Sequence, residues 1–365
     1  MIKPIKCNAR NLLFGFIVFV VVVVVCWQFV RLSKQNVENI QPSKVKKTSS
    51  SVTVTFKCNC NRTLTKFVNE SVSTAPPGGF RWCSAESSAR GAHQKVIAYS
   101  LFGTGTKENV SAVSDRYDSL LRKILIAAEK LYPGWIVRIY HNFHNENDPG
   151  NIVSKQLCEL HCQFNHLDLC SVTAIAGNIT SLTPIDPALL RGLNGRMFRF
   201  LVMLDPNVDL FISRDTDSVI LQREVDAVAE WLRSNYTFHL MRDHKNHTSI
   251  ILAGMWGAKL HQRRDLIEGL TRAMILAGQD QQKSTDQTLL DKIVWPSAQY
   301  DVMAHDSYNC QRNELNKKSP LKVLPFPTMR NGSYFVGGVG ENSNDAPSKC
   351  PEACRPPDHK DWEYC

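Results

Sequence analysis

Nineteen consecutive residues, Leu12 to Val30, carry no charge and only Gln28 among them is clearly polar. A run of this kind splits any chain that contains it. At about 1.5 Å per residue, a helix of this length crosses a hydrocarbon core of roughly 30 Å. Lys3, Lys6 and Arg10 precede it, as in a secretory signal peptide. Yet the run exceeds the roughly 7–15 apolar residues of such a peptide, and its end, Cys26-Trp-Gln-Phe-Val-Arg31, has no small-x-small cleavage site. It reads as an uncleaved signal anchor, with a signal peptide as the alternative. Flanking charge leaves orientation open, because Arg31, Lys34, Lys44, Lys46 and Lys47 oppose the N-terminal basic residues.

The downstream sequence decides orientation. Asn-x-Ser/Thr acceptors occur at Asn61, Asn69, Asn109, Asn178, Asn235, Asn246 and Asn331, and ten of the twelve cysteines lie beyond the apolar run. Sequons and an even number of cysteines suit an oxidising, glycosylating lumen. The expected order is a cytoplasmic tail (1–11), a transmembrane helix (12–30), a stem (31–92), a catalytic domain (93–341) and a Cys-containing C-terminal tail (342–365) that wraps the domain. The stem is rich in Ser, Thr, Lys and Asn and is broken by Pro76-Pro-Gly-Gly79. Within it, Val52, Val54 and Phe56 alternate with polar residues ahead of Cys58 and Cys60, which predicts an edge strand tied by disulfide to the main domain; Cys83 fits the same tie. Residues 1–92 hold 13 Lys or Arg against 3 Asp or Glu, so they account for the whole-chain net charge of +9. The domain itself is near neutral, and nothing points to nucleic-acid binding.

From residue 93 the pattern turns to α/β. Lys95–Phe102 predicts a buried strand, and Tyr117, Leu120, Leu121, Ile124, Leu125, Ala128 and Leu131 mark a helix stopped by Pro133-Gly134. Trp135–Tyr140 predicts a second strand. Strand, helix and strand at this spacing make a βαβ unit with a parallel sheet, whose ligands gather at the carboxyl ends of the strands. A helix over Ile152–His161 and a strand over Leu167–Ala174 come next. Cys158, His161, Cys162, His166 and Cys170 cluster there; zinc is one reading, but no paired Cys-x-x-Cys spacing is present and disulfides are the favoured one.

The chemistry centres on Val208–Ile220, a short apolar strand that ends in Asp215-Thr-Asp217. Two acids on one side of a tight turn can hold a divalent cation, which in turn binds a diphosphate. With 20 Asp in 365 residues, about one Asp-x-Asp is expected by chance, so the surroundings must carry the reading. A helix predicted over Leu189–Leu204 brings Arg191, Arg196 and Arg199 to the same place, and the guanidinium fork of Arg196 and Arg199 suits a diphosphate. A helix over Gln222–Ser234 comes next. Strands at Phe238–Met241 and Ile250–Ala253, closed by a Gly254-Met-Trp-Gly257 turn, suggest an acceptor-sugar pocket of Gly254, Trp256 and Gly257; Trp256 in the core is the alternative. Asp243 is a candidate general base, or else the partner of Arg242 or Lys245. Ser284-Thr-Asp286-Gln287 opens a helix, for which Ser284 or Thr285 as cap is a sufficient account. A strand over Tyr300–His305 delivers His305.

An N-terminal anchor, a stem, a βαβ start, Asp-x-Asp after a mid-domain strand, Gly-Met-Trp-Gly, Asp-Gln-x-Leu-Leu and a late His together resemble a type II Golgi glycosyltransferase of the GT-A fold. The stretch Arg214-Asp-Thr-Asp-Ser, with Arg223-Glu, Met241-Arg-Asp-His and Ala253-Gly-Met-Trp-Gly, resembles glycosyltransferase-like proteins of animals and microbes. The resemblance implies a Rossmann-like, mostly parallel central sheet flanked by helices, and Mn2+ or Mg2+ with a nucleoside diphosphate sugar as donor. It implies Asp217 as the main metal ligand, Asp215 at the metal or ribose, and His305 as a further ligand. Asp286 would stand beside the donor sugar as a catalytic acid, and Tyr99, Ser100, Phe102 and Gly103 would border the nucleoside. Ser213-Arg214 departs from the unbroken apolar strand of many such enzymes, so Arg214 would either add a phosphate contact or alter the metal geometry. The acceptor would be a glycan, glycoprotein or glycolipid. Two other classes compete: a non-catalytic lumenal glycan-binding or scaffolding relative, and a haloacid-dehalogenase-type phosphatase, which would carry its acids on the domain's first strand and a later acidic pair.

Overall fold

The computed structural model of the chain describes residues 57–64, 80–103, 107–143, 152–179, 185–311, 322–340 and 348–365. All belong to one compact unit, Thr53–Cys365. The expected anchor at 12–30 and the Val52–Phe56 strand lie outside them, and among the described residues no helix is long and apolar enough to cross a membrane.

Among the described residues eight strands form one sheet: β1 (Gln94–Leu101), β2 (Ile136–His141), β3 (Leu167–Ser171), β4 (Val208–Arg214), β5 (Phe238–Arg242), β6 (Met255–Lys259), β7 (Val302–Asp306) and β8 (Lys322–Leu324). Their spatial order is β3-β2-β1-β4-β6-β5-β7-β8. Of these, only β6 runs antiparallel to its neighbours; every other pair is parallel. This is a mixed α/β fold with a mostly parallel, Rossmann-like sheet. The chain builds β1, β2 and β3 outward, then returns to the free side of β1 for β4. A crevice opens at such a switch point, outside the carboxyl ends of the strands.

The strands read as apolar runs because both faces are covered. Val96 and Ala98 of β1 join Phe211, Trp256 and Phe238 on one face. Ile97, Tyr99 and Leu101 join Ile212, Met241 and Met303 on the other. Helix α1 (Ala85–Ala89) precedes the sheet. On the second face lie α2 (Lys107–Leu131), α3 (Ile152–Gln163) and α6 (Gln222–Arg233). The first face is covered by α4 (Val172–Gly177), α5 (Pro187–Gly192), a 3-10 helix over Gly195–Leu204 and α7 (Arg264–Ala277).

Two expected elements differ. The single helix over Leu189–Leu204 is broken into α5 and the 3-10 helix, because the Asn194 side chain caps Arg196 N–H at 3.0 Å and donates to the carbonyls of Asp280 and Gln282 at 2.8 and 3.0 Å. Ile250–Ala253 is not a strand, and the turn is confined to Ala253-Gly254, closed by Met255 N–H donating to the Leu252 carbonyl at 2.9 Å, with Met255-Trp-Gly257 already the start of β6. Gly257 is required there by packing: a side chain would meet the Phe211 carbonyl across the strand pair.

Folded structure also begins before residue 93. Phe80 and Trp82 are core residues in edge-to-face contact at 4.8 Å, and the buried Arg90 guanidinium donates to both oxygens of the buried Asp168 carboxylate at 2.9–3.1 Å. Cys58, Cys60 and Cys83 pair with Cys158, Cys162 and Cys170. The zinc reading therefore loses its thiolates, and His161 is taken up by Arg62 and Glu86 instead. Cys310–Cys354 and Cys350–Cys365 close the C-terminal segment onto the domain. Because Cys83–Cys170 spans 87 residues, the double variant Cys83→Ala/Cys170→Ala is expected to lose about 2–4 kcal/mol, lowering Tm by roughly 5–15 °C. A Tm equal to wild type in a thermal melt would show that this cross-link does not hold the N-terminal segment.

Candidate active site

β1 and β4 lie side by side and parallel, so the residues just beyond each of them arrive at the same crevice. From β1 come Ser100 and Phe102; from β4 come Asp215, Thr216 and Asp217; all five line an open cavity of about 430 Å3. The Ser100 hydroxyl donates to the Arg196 carbonyl at 3.2 Å and accepts from Arg199 N–H at 2.9 Å. This fixes the 3-10 helix against β1. With three residues per turn, such a helix carries positions three apart on one edge, and Arg196 and Arg199 both reach the cavity.

Arg199 joins two acids. Its Nη1 donates to Asp215 Oδ1 at 2.5 Å and to the Arg214 carbonyl at 3.0 Å, and its Nη2 to Asp286 Oδ2 at 2.9 Å. Burial works against the guanidinium charge, but Asp215 and then Asp286 hold its pKa above the ordinary value. Asp286 also accepts from Gln287 N–H at 2.9 Å. Helix α8 (Thr285–Leu289) carries both residues, and Gln287 accepts from Ala253 N–H at 3.1 Å and donates to the Ile251 carbonyl. The stretch before β6 is thereby latched to α8. A methyl group on Gly254 would overlap the Asp215 carboxylate, so the absence of a side chain at 254 is what lets Asp215 stand beside Arg199. The Arg196 guanidinium lies 5.4 Å from the Phe102 ring centroid. Across the cavity, Gly340 N–H donates to the Asp217 carbonyl at 2.7 Å and Ser218 bridges Val339. Gly337, with φ +83°, sits where a side chain would collide with Met255.

Several expected site residues stand elsewhere. Tyr99 points to the opposite face of β1 and is fully buried, as alternation along a strand requires once Ser100 faces the cavity. Gly103 abuts the Phe143 ring. Arg214 turns toward α6, where Nε donates to the buried Glu224 at 2.9 Å. Trp256 is a core residue between Phe200 and Phe211, and Gly257 lies inside the sheet, so Gly254 alone of the expected acceptor trio borders the cavity. Asp243 is wholly buried. It takes bidentate donation from Arg223 at 2.9 and 3.0 Å, and further bonds from Arg330, Ser307 and Val336 N–H. Burial pushes its carboxyl up, but Arg223 and Arg330 hold it below the usual carboxylate value. Asp243 is thus an ionised tie with no surface facing an acceptor, and its partners are neither Arg242, which pairs with Asp306, nor Lys245. His305 is buried between His239 at 2.8 Å and Glu230 at 3.2 Å and does not line the cavity.

Two cavity residues carry little signal in the sequence. Lys283 adds a cation just before α8. His247 accepts from Asp243 N–H through Nδ1 at 3.0 Å, and burial lowers its pKa to about 4. Its tautomer at neutral pH therefore carries the proton on Nε2, available as a neutral donor. The run Arg242-Asp-His-Lys-Asn-His247 is the only sequence signal for it.

The lining residues balance, with Asp215, Asp217 and Asp286 against Arg196, Arg199 and Lys283. No surplus positive charge is left for a diphosphate. Among the described residues no three His, Cys, Asp or Glu side chains form a metal cluster. That donor set fits an Mg2+- or Mn2+-type ion, which takes one or two carboxylates and completes its shell with phosphate oxygens and water; it does not fit an all-protein cage.

No protein-family model matches the sequence, and no curated protein matches it. Several solved structures match it at low similarity, two of them as follows. One is a glycosyltransferase involved in the glycosylation of the major capsid of PBCV-1, with TM-score 0.32 and 13% identity over 59% of this chain and 82% of that one. The other is 4-diphosphocytidyl-2C-methyl-D-erythritolsynthase from Anaerococcus prevotii DSM 20548, with TM-score 0.32 and 11% identity over 64% and 89%. At that TM-score neither likeness carries an argument about this chain.

The geometry sets two expected outcomes. Gly254→Ala is expected to cost about 1–3 kcal/mol in wild type but clearly less in an Asp215→Ala background, a coupling readable by denaturant unfolding; additive costs would show that Gly254 does not make room for Asp215. His247 is depressed in the folded state, so its contribution is intact above the unfolded pKa of about 6.5 and is lost as pH falls toward 4. His247→Asn should flatten the fall in stability between those pH values by up to about 3 kcal/mol; an unchanged slope would refute the buried neutral state.

Proposed function

We propose that the chain is a metal-dependent glycosyltransferase that moves a sugar from a nucleoside diphosphate sugar to an acceptor hydroxyl on a glycan, glycoprotein or glycolipid. The observation that carries this reading is the meeting of Asp215 and Asp217 with Arg196, Arg199 and Lys283 in one cavity at the switch point of the sheet. Acids and cations in equal number, open to solvent beside two glycines, suit a ligand that is itself a polyanion with a bound cation. The acids come after β4 and not β1, which disfavours the phosphatase alternative, whose acids belong on the first strand.

Asp217 and Asp215 are the groups that would hold Mn2+ or Mg2+, which supplies positive charge to a leaving diphosphate. Arg199 holds the Asp215 carboxylate in place, with Asp286 as its second, buried carboxylate partner. Asp286 has one oxygen engaged by Arg199 and the other by Gln287 N–H, so its role is to position Arg199 at the edge of the donor site. Phe102 and Arg196 offer a flat ring and a guanidinium plane to the nucleoside end, and the exposed Lys283 adds a charge for phosphate oxygens. The neutral His247 Nε2–H would donate to an oxygen of the transferred sugar or acceptor, while the proton released by the acceptor hydroxyl passes to the leaving diphosphate.

The compartment we propose is the Golgi lumen, with the chain anchored as a type II protein through residues 12–30. Five disulfides among the ten lumenal cysteines support an oxidising space. Asn61, Asn178, Asn235, Asn246 and Asn331 are all exposed, as acceptors of glycan must be. The deciding experiment is a thermal-shift panel of nucleoside diphosphates on the detergent-solubilised full chain, with and without Mn2+. One diphosphate at 100 times its Kd should stabilise the protein by about 2.7 kcal/mol, only with Mn2+ present, and Asp217→Ala should abolish the shift while its own Tm stays near wild type. Indifference to every nucleotide would overturn the assignment.

A further inference from the structure

A second cavity, of about 630 Å3, lies on the other side of the chain that leaves Asp217. Asp217 and Ser218 line the first cavity; Val219 and Leu221 line the second. Its other apolar walls are Ala127 of α2, Met329 and Tyr334. Met329 and Tyr334 are 53% and 38% exposed, which places them among the large apolar side chains most open to solvent in the described residues. An open apolar cavity of this kind is ordinarily covered by something.

One lining residue indicates by what. Asn331 borders the cavity and is exposed, and it is the acceptor of the sequon Asn331-Gly332-Ser333. The sequon forms a tight turn: Tyr334 N–H donates to the Asn331 carbonyl at 3.3 Å, and Gly332 takes φ +60°. Met329 and Tyr334, on either side of Asn331 in the chain, line the same cavity. Neither Asn61, Asn178, Asn235 nor Asn246 lines either cavity.

We propose that Asn331 carries an N-linked glycan whose first sugars lie in this cavity, their apolar faces against Tyr334 and Met329. The inference rests on the lumenal reading above. Sugar rings present C–H faces to aromatic and thioether surfaces, while the Gln222 side-chain carbonyl at the wall offers an acceptor to the hydroxyls. The occupant is this glycan and not a separate partner because it is covalently tethered at the cavity wall, so docking is intramolecular and proceeds at high effective concentration. In the modification, Asn331 Nδ2 forms a bond to C1 of an oligosaccharide carried on a lipid diphosphate. The C1–O bond to the diphosphate breaks, the lipid diphosphate leaves, and one amide proton passes to solvent; the lipid-linked oligosaccharide is the external co-reactant.

The test uses the full chain expressed in a eukaryotic secretory host, with site occupancy read by peptide mass spectrometry and glycan release by a peptide-N-glycosidase under native conditions. Asn331 should be occupied, and its glycan released on the order of tenfold more slowly than that on Asn235, because access needs a local opening. Tyr334→Ser should keep the site occupied and bring its release rate to that of Asn235. Ser333→Ala, which removes the glycan and leaves the cavity wall intact, should lower Tm by about 2–4 °C and raise binding of an apolar-surface dye, whereas Asn235→Gln should do neither. Modification of the other sites without Asn331 overturns the inference alone, as do equal native release rates. No modification at any sequon overturns the lumenal reading and the inference with it.

Discussion

The buried guanidinium of Arg199, bonded at once to Asp215 and Asp286, is the interaction on which the candidate site depends. A charge taken out of water is tolerated only with partners in good geometry, and here each partner has its own support. Ser100 seats the 3-10 helix that carries Arg199, Gly254 leaves room for Asp215, and Gln287 ties α8 to the stretch entering β6. Residues from four separate parts of the chain are thereby locked to one carboxylate at the end of β4. The position of Asp217, two residues on, is set by that lock and by the Gly340 bond to its carbonyl.

The sheet explains why this lock sits where it does. Both faces of β1 and β4 are packed with apolar residues, so neither strand can shift register without moving core side chains into solvent. Their carboxyl ends are the only part left to vary. Behind the cavity, Asp243 gathers Arg223, Arg330, Ser307 and Val336, which holds the segment that forms the cavity's far wall. Three disulfides fasten the segment before residue 93 to α3 and β3, and two more close the C-terminal segment. The edges of the domain are thus tied covalently, whereas its centre is held by packing and ion pairs.

Much of this was legible in residue pattern. Strands β1, β2, β4, β5 and β7 and helices α3 and α6 fall within a few residues of their expected positions, because long apolar runs and 3.6-residue periodicity report burial directly. Asp215, Asp217, Arg196, Arg199, Ser100, Phe102 and Gly254 do meet in one cavity. The misplaced residues share a cause. Tyr99, Arg214 and Trp256 each neighbour a cavity residue in the chain but point to the opposite face of a strand, and a motif written as a string does not record which way a strand faces. His305 and Asp243 bear the right chemistry but are consumed by buried partners contributed from distant elements, Glu230 and His239 in one case and Arg223 and Arg330 in the other.

By itself, the sequence determined the α/β class, the existence of an apolar run ahead of a cysteine-rich domain, and the two acids at the end of a mid-domain strand, since each is a property of local composition and period. Only the tertiary structure decided the strand order, the pairing of ten cysteines and the identity of the groups that face those acids. The physical reason is that these depend on contacts between residues tens to a hundred positions apart. Asp286 becomes the counter-anion of Arg199, and His247 a neutral donor, only once the sheet has brought their loops to the same crevice.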